Sequence, residues 1–179
     1  EGWTAKLEEV RAAFGRTVGA GEGEIALMPS ISAGLTAVAD ALDLREGARV
    51  VVSELDFPTL LYQFLARRRL GLEVEVVESP DGIEVPLEAW REALSGGADL
   101  VATSHVFYAT GAIQDVASLG EMAREAGARY LVDAYQSHGQ LPVDAREIGA
   151  DFLVSGALKW LMGGPGLAFL RVRRELARE

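Results

Sequence analysis

Arg49-Val50-Val51-Val52-Ser53 is built around consecutive valines, the pattern of a β-strand that is covered on both faces. Further short apolar runs predict strands at residues 24–27, 72–77, 99–103, 130–133, 152–154 and 167–172. Helical spacing of apolar residues or helix-start signals mark residues 6–18, a segment after Ser30 or Ser32, residues 58–69, residues 86–94 and the segment from Asp115 to residue 126. This alternation predicts an α/β fold with a mostly parallel seven-stranded sheet flanked by helices.

The composition is that of a globular protein. The chain has 179 residues, 49% of them hydrophobic and 25% charged, which is enough for one domain with a substantial core. Its net charge of −10 argues against a nucleic-acid-binding module, whose usual footprint is basic. The absence of cysteine excludes disulfides, thiolate metal sites and a cysteine nucleophile within this segment, and is compatible with a cytoplasmic location. No apolar stretch reaches the ~18 to 20 residues of a membrane helix.

Lys159 is the first candidate for chemistry, because ligands of parallel sheets bind beyond the carboxyl ends of the strands. It follows the predicted strand 152–154 and precedes Gly163-Gly164-Pro165-Gly166. Apart from Lys6 it is the only lysine, since arginine supplies the other 15 of the 17 basic residues. A partly desolvated lysine can lose its proton and act as a nucleophile, which arginine cannot. The alternative is an ordinary surface lysine in a loop.

Other strand ends carry further candidates. Asp133 ends an apolar strand and needs a cationic or hydrogen-bonding partner there, unless it only caps a loop. Ser30-Ile31-Ser32 opens a helix whose free amides suit a phosphate, although most such serines are only caps. Phe57 follows the strand at Arg49–Ser53 and either stacks on a flat ligand or belongs to the core. His105 and His138 have no acidic cluster around them, so no metal site is predicted.

Together these strand ends supply an amine, an acid, an aromatic face and a phosphate cradle. That set suits an aromatic aldehyde phosphate, with an aldehyde for Lys159 and a ring nitrogen for Asp133.

On these residues the sequence resembles the class V aminotransferase family of pyridoxal-phosphate (PLP) enzymes, which includes cysteine desulfurases, kynureninases and isopenicillin N epimerase-like proteins. Asp133-Ala134-Tyr135-Gln136 resembles the family's Asp-x-x-(Gln/His) motif, and Lys159-Trp160-Leu161-Met162-Gly163 its Schiff-base lysine region. Asp56-Phe57-Pro58-Thr59 is similar to the cofactor-stacking segment of kynureninases. The resemblance extends over about residues 7–173.

The resemblance implies that residues 1–179 are the PLP-binding large domain of fold type I, part of a longer protein without its N-terminal arm and small C-terminal domain. Lys159 would form the Schiff base and move protons, and Asp133 would pair with the ring nitrogen. The implied cofactor contacts are Ile31, Ser32, Phe57, Thr59, Tyr108, Asp133, Gln136, Ser155 and Lys159. An amino-acid substrate, a homodimer and a cytoplasmic location follow by the same comparison, with no nucleic acid, membrane or metal as partner.

The implied activity is first that of an aminotransferase, and second that of a kynureninase-like or desulfurase-like Cβ lyase. The chain departs from both lyases: it has Phe107-Tyr108 where desulfurases carry Asn, Leu158 where His or Tyr precedes the lysine, and Leu60 where kynureninases have Asp. A non-catalytic nucleotide-binding α/β module is a further alternative, but it predicts a Gly-x-Gly-x-x-Gly turn that the sequence lacks after its first strand. The last alternative is a non-catalytic scaffold that binds PLP poorly.

Overall fold

The computed structural model describes residues 2–42 and 44–178, and its strands form one seven-stranded sheet. The order across the sheet is β1-β7-β6-β5-β4-β2-β3. In chain order the strands are β1 (Ile25–Met28), β2 (Arg49–Ser53), β3 (Glu73–Val77), β4 (Leu100–Ser104), β5 (Arg129–Asp133), β6 (Phe152–Gly156) and β7 (Ala168–Val172).

The sheet is mostly parallel, as predicted. The pairs β2–β3, β2–β4, β4–β5 and β5–β6 are parallel, whereas β7 runs antiparallel to both of its neighbours, β1 and β6. The carboxyl ends of β2, β4, β5 and β6 therefore share one edge. The connection from β6 to β7, which contains Lys159, returns over that edge and is closed at its base by a hydrogen bond from Ala157 N to Leu167 O at 3.0 Å.

Five α-helices cover the sheet: α1 (Gly2–Thr17), α2 (Ile31–Ala41), α3 (Pro58–Leu65), α4 (Leu87–Leu94) and α5 (Val116–Glu125). Ser30 caps α2 by accepting from Ala33 N at 3.1 Å, and Asp115 caps α5 by accepting from Ser118 N at 3.0 Å. The predicted helix 58–69 is α-helical only to Leu65. It continues as a 3₁₀ turn (Ala66–Leu70) and stops at Gly71, whose φ of 90° is left-handed.

The core has one layer on each face of the sheet. Val51 packs in the layer beneath α1, α4 and α5, while Val50 and Val52 pack in the layer beneath α2 and α3. This alternation of adjacent valines is the two-sided coverage that the RVVVS stretch predicts.

Within the described residues, every helix is too short or too polar to cross a membrane.

Candidate active site

Two adjoining cavities lie at the carboxyl edge of the sheet. The main cavity has a volume of about 290 Å³ and is lined by the start of α2, the residues after β2 and β5, and the β6–β7 connection. A small cavity shares Phe57, Asp133 and Tyr135 with it and is completed by Ser104, Val106, Tyr108, Gln136 and Lys159.

These cavities bring together all the predicted cofactor contacts except Ser155. Ile31, Ser32, Phe57, Thr59 and Asp133 line the main cavity, and Tyr108, Gln136 and Lys159 line the small one. Ser155 is fully buried, and its Oγ lies 3.2 Å from Nδ1 of His138, whose ring packs on Phe14 of α1. It lines neither cavity, because side chains alternate along β6 and its neighbour Val154 occupies the α2 side. Its role as a contact stays a prediction.

The amine of Lys159 lies among aromatic rings. Its Nζ is 4.5 Å from the ring centroid of Tyr135 and 5.6 Å from that of Phe57. Burial lowers the pKa of the Lys159 amine, and the carboxylate of Asp133 opposes this. A larger share of the amine is therefore neutral at physiological pH, as attack on an aldehyde requires.

Asp133 is a buried acid with capacity for a further partner. Its carboxylate accepts from Tyr135 N at 2.9 Å and borders both cavities. Burial raises the pKa of Asp133 to about 6, against the opposing effects of this amide and of Lys159. A cationic donor bound in the cavity, such as a protonated ring nitrogen, would stabilise the anion.

The start of α2 offers unpaired backbone donors to the main cavity. The first amides of a helix have no acceptor within the helix, and here they belong to Ile31 and Ser32. These donors and the positive end of the helix dipole suit a phosphate.

Phe57 supplies the flat surface between these groups. It borders both cavities, is 41% exposed, and is held edge-on by Tyr108 with ring centroids 5.0 Å apart. Amine, carboxylate, aromatic face and helix start thus fit the aldehyde, ring nitrogen, ring and phosphate of PLP.

Tyr135 is the site residue that sequence reasoning missed. It lies inside the Asp133-Ala134-Tyr135-Gln136 motif, and this position was the available signal. Its place depends on Gly156, where an added Cβ would come within 3.0 Å of Tyr135 Cε2. Leu158 and residues 165–167 of the β6–β7 connection also line the main cavity, together with Ala168 at the start of β7.

His105 lies directly after β4, next to Ser104 of the small cavity. It is buried, its Nδ1 has no hydrogen-bond partner, and burial lowers its pKa. Among residues 2–42 and 44–178, no group of three or more His, Asp or Glu could hold a metal ion.

A third cavity of about 260 Å³ adjoins the small one and shares Val106, Tyr108 and Gln136 with it. Its other walls are largely apolar: Phe107, Gly111, Ile113, Gln140, Leu141 and Trp160.

The chain is similar to known proteins over nearly its whole length. The sequence profile of the family described as aminotransferase class-V matches residues 1–179. The chain is 38% identical to the uncharacterised aminotransferase YcbU of Bacillus subtilis, over 96% of this chain and 46% of the length of YcbU. It is 33% identical to the kynureninase of Pseudomonas fluorescens, over 98% of the chain and 43% of that enzyme.

The fold agrees with a solved structure. The apo cysteine desulfurase of Thermococcus onnurineus NA1 matches with a TM-score of 0.89 and 33% identity, over 96% of this chain and 44% of that one. The chain spans less than half the length of these relatives. The chain belongs to the aminotransferase class-V family, whose cofactor is pyridoxal 5′-phosphate.

Proposed function

We propose that this chain is the cofactor-binding large domain of an enzyme that acts on an amino acid, and that the reaction is transamination. The observation that carries the proposal is the arrangement of Lys159 and Asp133 on one pair of adjoining cavities, with Phe57 exposed to both. Bound there, PLP supplies a ring that accepts the electrons released when a bond to the substrate's Cα breaks.

The residues of the chain have separate tasks in this proposal. Lys159 would hold the aldehyde carbon of PLP; with its amine free, it would take a proton from the substrate's Cα and, as the ammonium, give that proton up again. The lowered pKa of Lys159 favours the neutral amine, which both attachment to the aldehyde and removal of the proton need. Asp133 keeps a proton on the ring nitrogen, and the start of α2 holds the phosphate.

Space for the substrate lies beside Lys159. The 260 Å³ cavity adjoins the amine's cavity and is walled by Tyr108 and Trp160, with Gln136 as a polar group. We assign this 260 Å³ cavity to the substrate's side chain. The walls of the cavity would shield that side chain from water.

A Cβ lyase is the second candidate, because a kynureninase and a cysteine desulfurase match the chain about as well as the aminotransferase does. The chain departs from the lyases at Leu60, Phe107 and Leu158, so the proposal includes neither phosphate contacts from these positions nor the substrate specificity of a kynureninase.

We also propose that the active enzyme is a cytoplasmic homodimer. Large apolar side chains remain exposed around the site, at Phe57, Tyr108, Leu158, Trp160 and Met162, and a second copy would cover them. The cysteine-free sequence is compatible with a reducing compartment.

The products decide between the two reactions. The PLP-loaded full chain is incubated with single amino acids, with and without a keto acid as acceptor. Transamination gives the keto acid of the donor and requires the acceptor, whereas a Cβ lyase releases alanine from kynurenine or cysteine without one. We expect Lys159→Ala and Lys159→Arg to abolish turnover. Wild-type turnover in Lys159→Ala would contradict the proposal.

A further inference from the structure

A directed chain of buried hydrogen bonds ends next to Phe57. Trp90 Nε1 donates to Gln114 Oε1 at 3.1 Å, and Gln114 Nε2 donates to Thr103 Oγ1 at 2.8 Å. The Thr103 hydroxyl then donates to Asp56 Oδ1 at 3.0 Å. An indole can only donate, so every bond in the chain has a fixed direction that leads to the carboxylate.

Asp56 ties two strand ends together. It is 2% exposed and accepts from Ser53 N at 2.9 Å and from Ser104 N at 2.6 Å. Ser53 ends β2 and Ser104 ends β4, so one carboxylate joins two neighbouring strands at the carboxyl edge. Burial raises the pKa of Asp56 to about 7, and the hydrogen bonds from Ser53, Ser104 and Thr103 oppose the rise.

The two strand ends that Asp56 joins both lie next to the cofactor site. Phe57 follows Asp56 in the chain, and Ser104 borders the small cavity and pairs in register with Asp133. The next amide, His105 N, donates to Asp133 O at 2.9 Å.

We propose that Asp56 is a positioning residue that fixes the Phe57 ring relative to Asp133, so that a flat cofactor can lie on the face of Phe57 while its edge meets the Asp133 carboxylate. This inference rests on the proposed PLP site. Asp56 contacts no part of the cavities, and it acts through the residues on either side.

Position 56 requires a carboxylate and not merely a polar side chain. All three partners of Asp56 are donors, so an amide in its place turns an N–H₂ towards a donor. Asp56→Asn therefore leaves a buried N–H unpaired at the end of β2 or of β4, at almost unchanged volume.

A matched control lies at the opposite end of the sheet. Asp151 is 4% exposed, accepts from Tyr130 N at 2.9 Å and forms an ion pair with Arg173 at 2.9 Å, but it lines neither cavity. Asp151→Asn thus reports the cost of losing a buried carboxylate, together with its ion pair to Arg173, at a place away from the cavities.

The test measures amide hydrogen exchange of the cofactor-free full chain and PLP affinity by absorbance titration. We expect Asp56→Asn to speed exchange at Ser53, Ser104 and the first turn of α3, and to weaken PLP binding about tenfold. The Lys159-dependent absorbance should remain. Asp151→Asn should speed exchange at Tyr130 and leave PLP affinity unchanged.

Faster exchange in Asp56→Asn with wild-type PLP affinity would show a purely structural role and overturn the inference, as would unchanged exchange. Failure of the proposed PLP site is a different result: the wild-type chain would then show no Lys159-dependent absorbance at all.

Discussion

The amine of Lys159 lies over the ring of Tyr135, with Nζ 4.5 Å from the ring centroid. The amide of the same tyrosine donates to Asp133 at 2.9 Å. One residue thus shields the amine from water and holds the acid. Burial is the largest influence on the pKa of Lys159 and lowers it.

Removing this ring should make Lys159 a weaker nucleophile. Tyr135→Ala admits water to the amine, so the pKa of Lys159 should rise towards its ordinary value and the neutral fraction at pH 7 should fall. We expect PLP attachment to slow severalfold, with its pH profile displaced to higher pH. Tyr135→Phe keeps the ring and should behave like the wild type. Equal pH profiles in all three proteins would argue against shielding by Tyr135.

The two serines at the start of α2 should have separable effects. Ser30 caps the helix, so Ser30→Ala should lower the free energy of unfolding by about 1 kcal/mol. Ser32 borders the cavity without capping, so Ser32→Ala should leave stability unchanged and reduce the preference for PLP over pyridoxal, which lacks the phosphate. Urea unfolding and parallel titrations with the two ligands test this. An unchanged preference in Ser32→Ala would remove Ser32 from the phosphate site.

Asp133 should stabilise the cofactor complex at the expense of the cofactor-free fold. Its folded-state pKa of about 6 lies above the ordinary 3.8, so the folded chain holds this proton more tightly than the unfolded chain. The contribution of Asp133 to stability therefore falls as pH rises between these values and stays low above them.

Asp133→Asn removes this ionisation. Without cofactor, the free energy of unfolding of the variant should exceed that of the wild type by about 1–3 kcal/mol at pH 8 and by much less near pH 4. The variant should also bind PLP more weakly. Urea unfolding at the two pH values measures the difference. A stability difference that does not change with pH would contradict the assignment.

Gly156 should be required for the position of the Tyr135 ring. A Cβ there would lie 3.0 Å from Tyr135 Cε2 and 3.3 Å from Leu167 O, so Gly156→Ala should displace the ring, weaken PLP binding and cost about 1–3 kcal/mol of stability. Gly164 lies in the connection that follows Gly156, and nothing lies within 4 Å of a Cβ added there. Gly164→Ala should match the wild type in both thermal unfolding and PLP titration. An equal loss of stability and PLP affinity in the two variants would indicate a general effect of substitution in this part of the chain.

Strands and strand ends could be predicted because their signals are local. The valines of β2 pack alternately into the two core layers, as their sequence indicates. That Asp133, Phe57 and Lys159 lie at one edge of the sheet could be predicted because each ends or follows a strand, and parallel strands end at one edge.

Other features depend on contacts that no local pattern reports. Whether Ser155 faces the cavity or His138 depends on the phase of alternation along β6. The chain from Trp90 to Asp56 joins residues that are far apart in sequence. The position of the Tyr135 ring at the cavities depends on the missing side chain of Gly156 on the neighbouring strand β6.

The most direct test of the account is to find which amine binds PLP. The full chain is loaded with PLP, reduced with borohydride and digested, and the labelled peptide is identified by mass spectrometry. Residues 1–179 contain two lysines, and Lys6 is paired with Glu9 on α1, far along the chain from the cavities. The account predicts a pyridoxyl group on Lys159 and none in Lys159→Ala. Label on Lys6 alone, or unchanged label in Lys159→Ala, would contradict it.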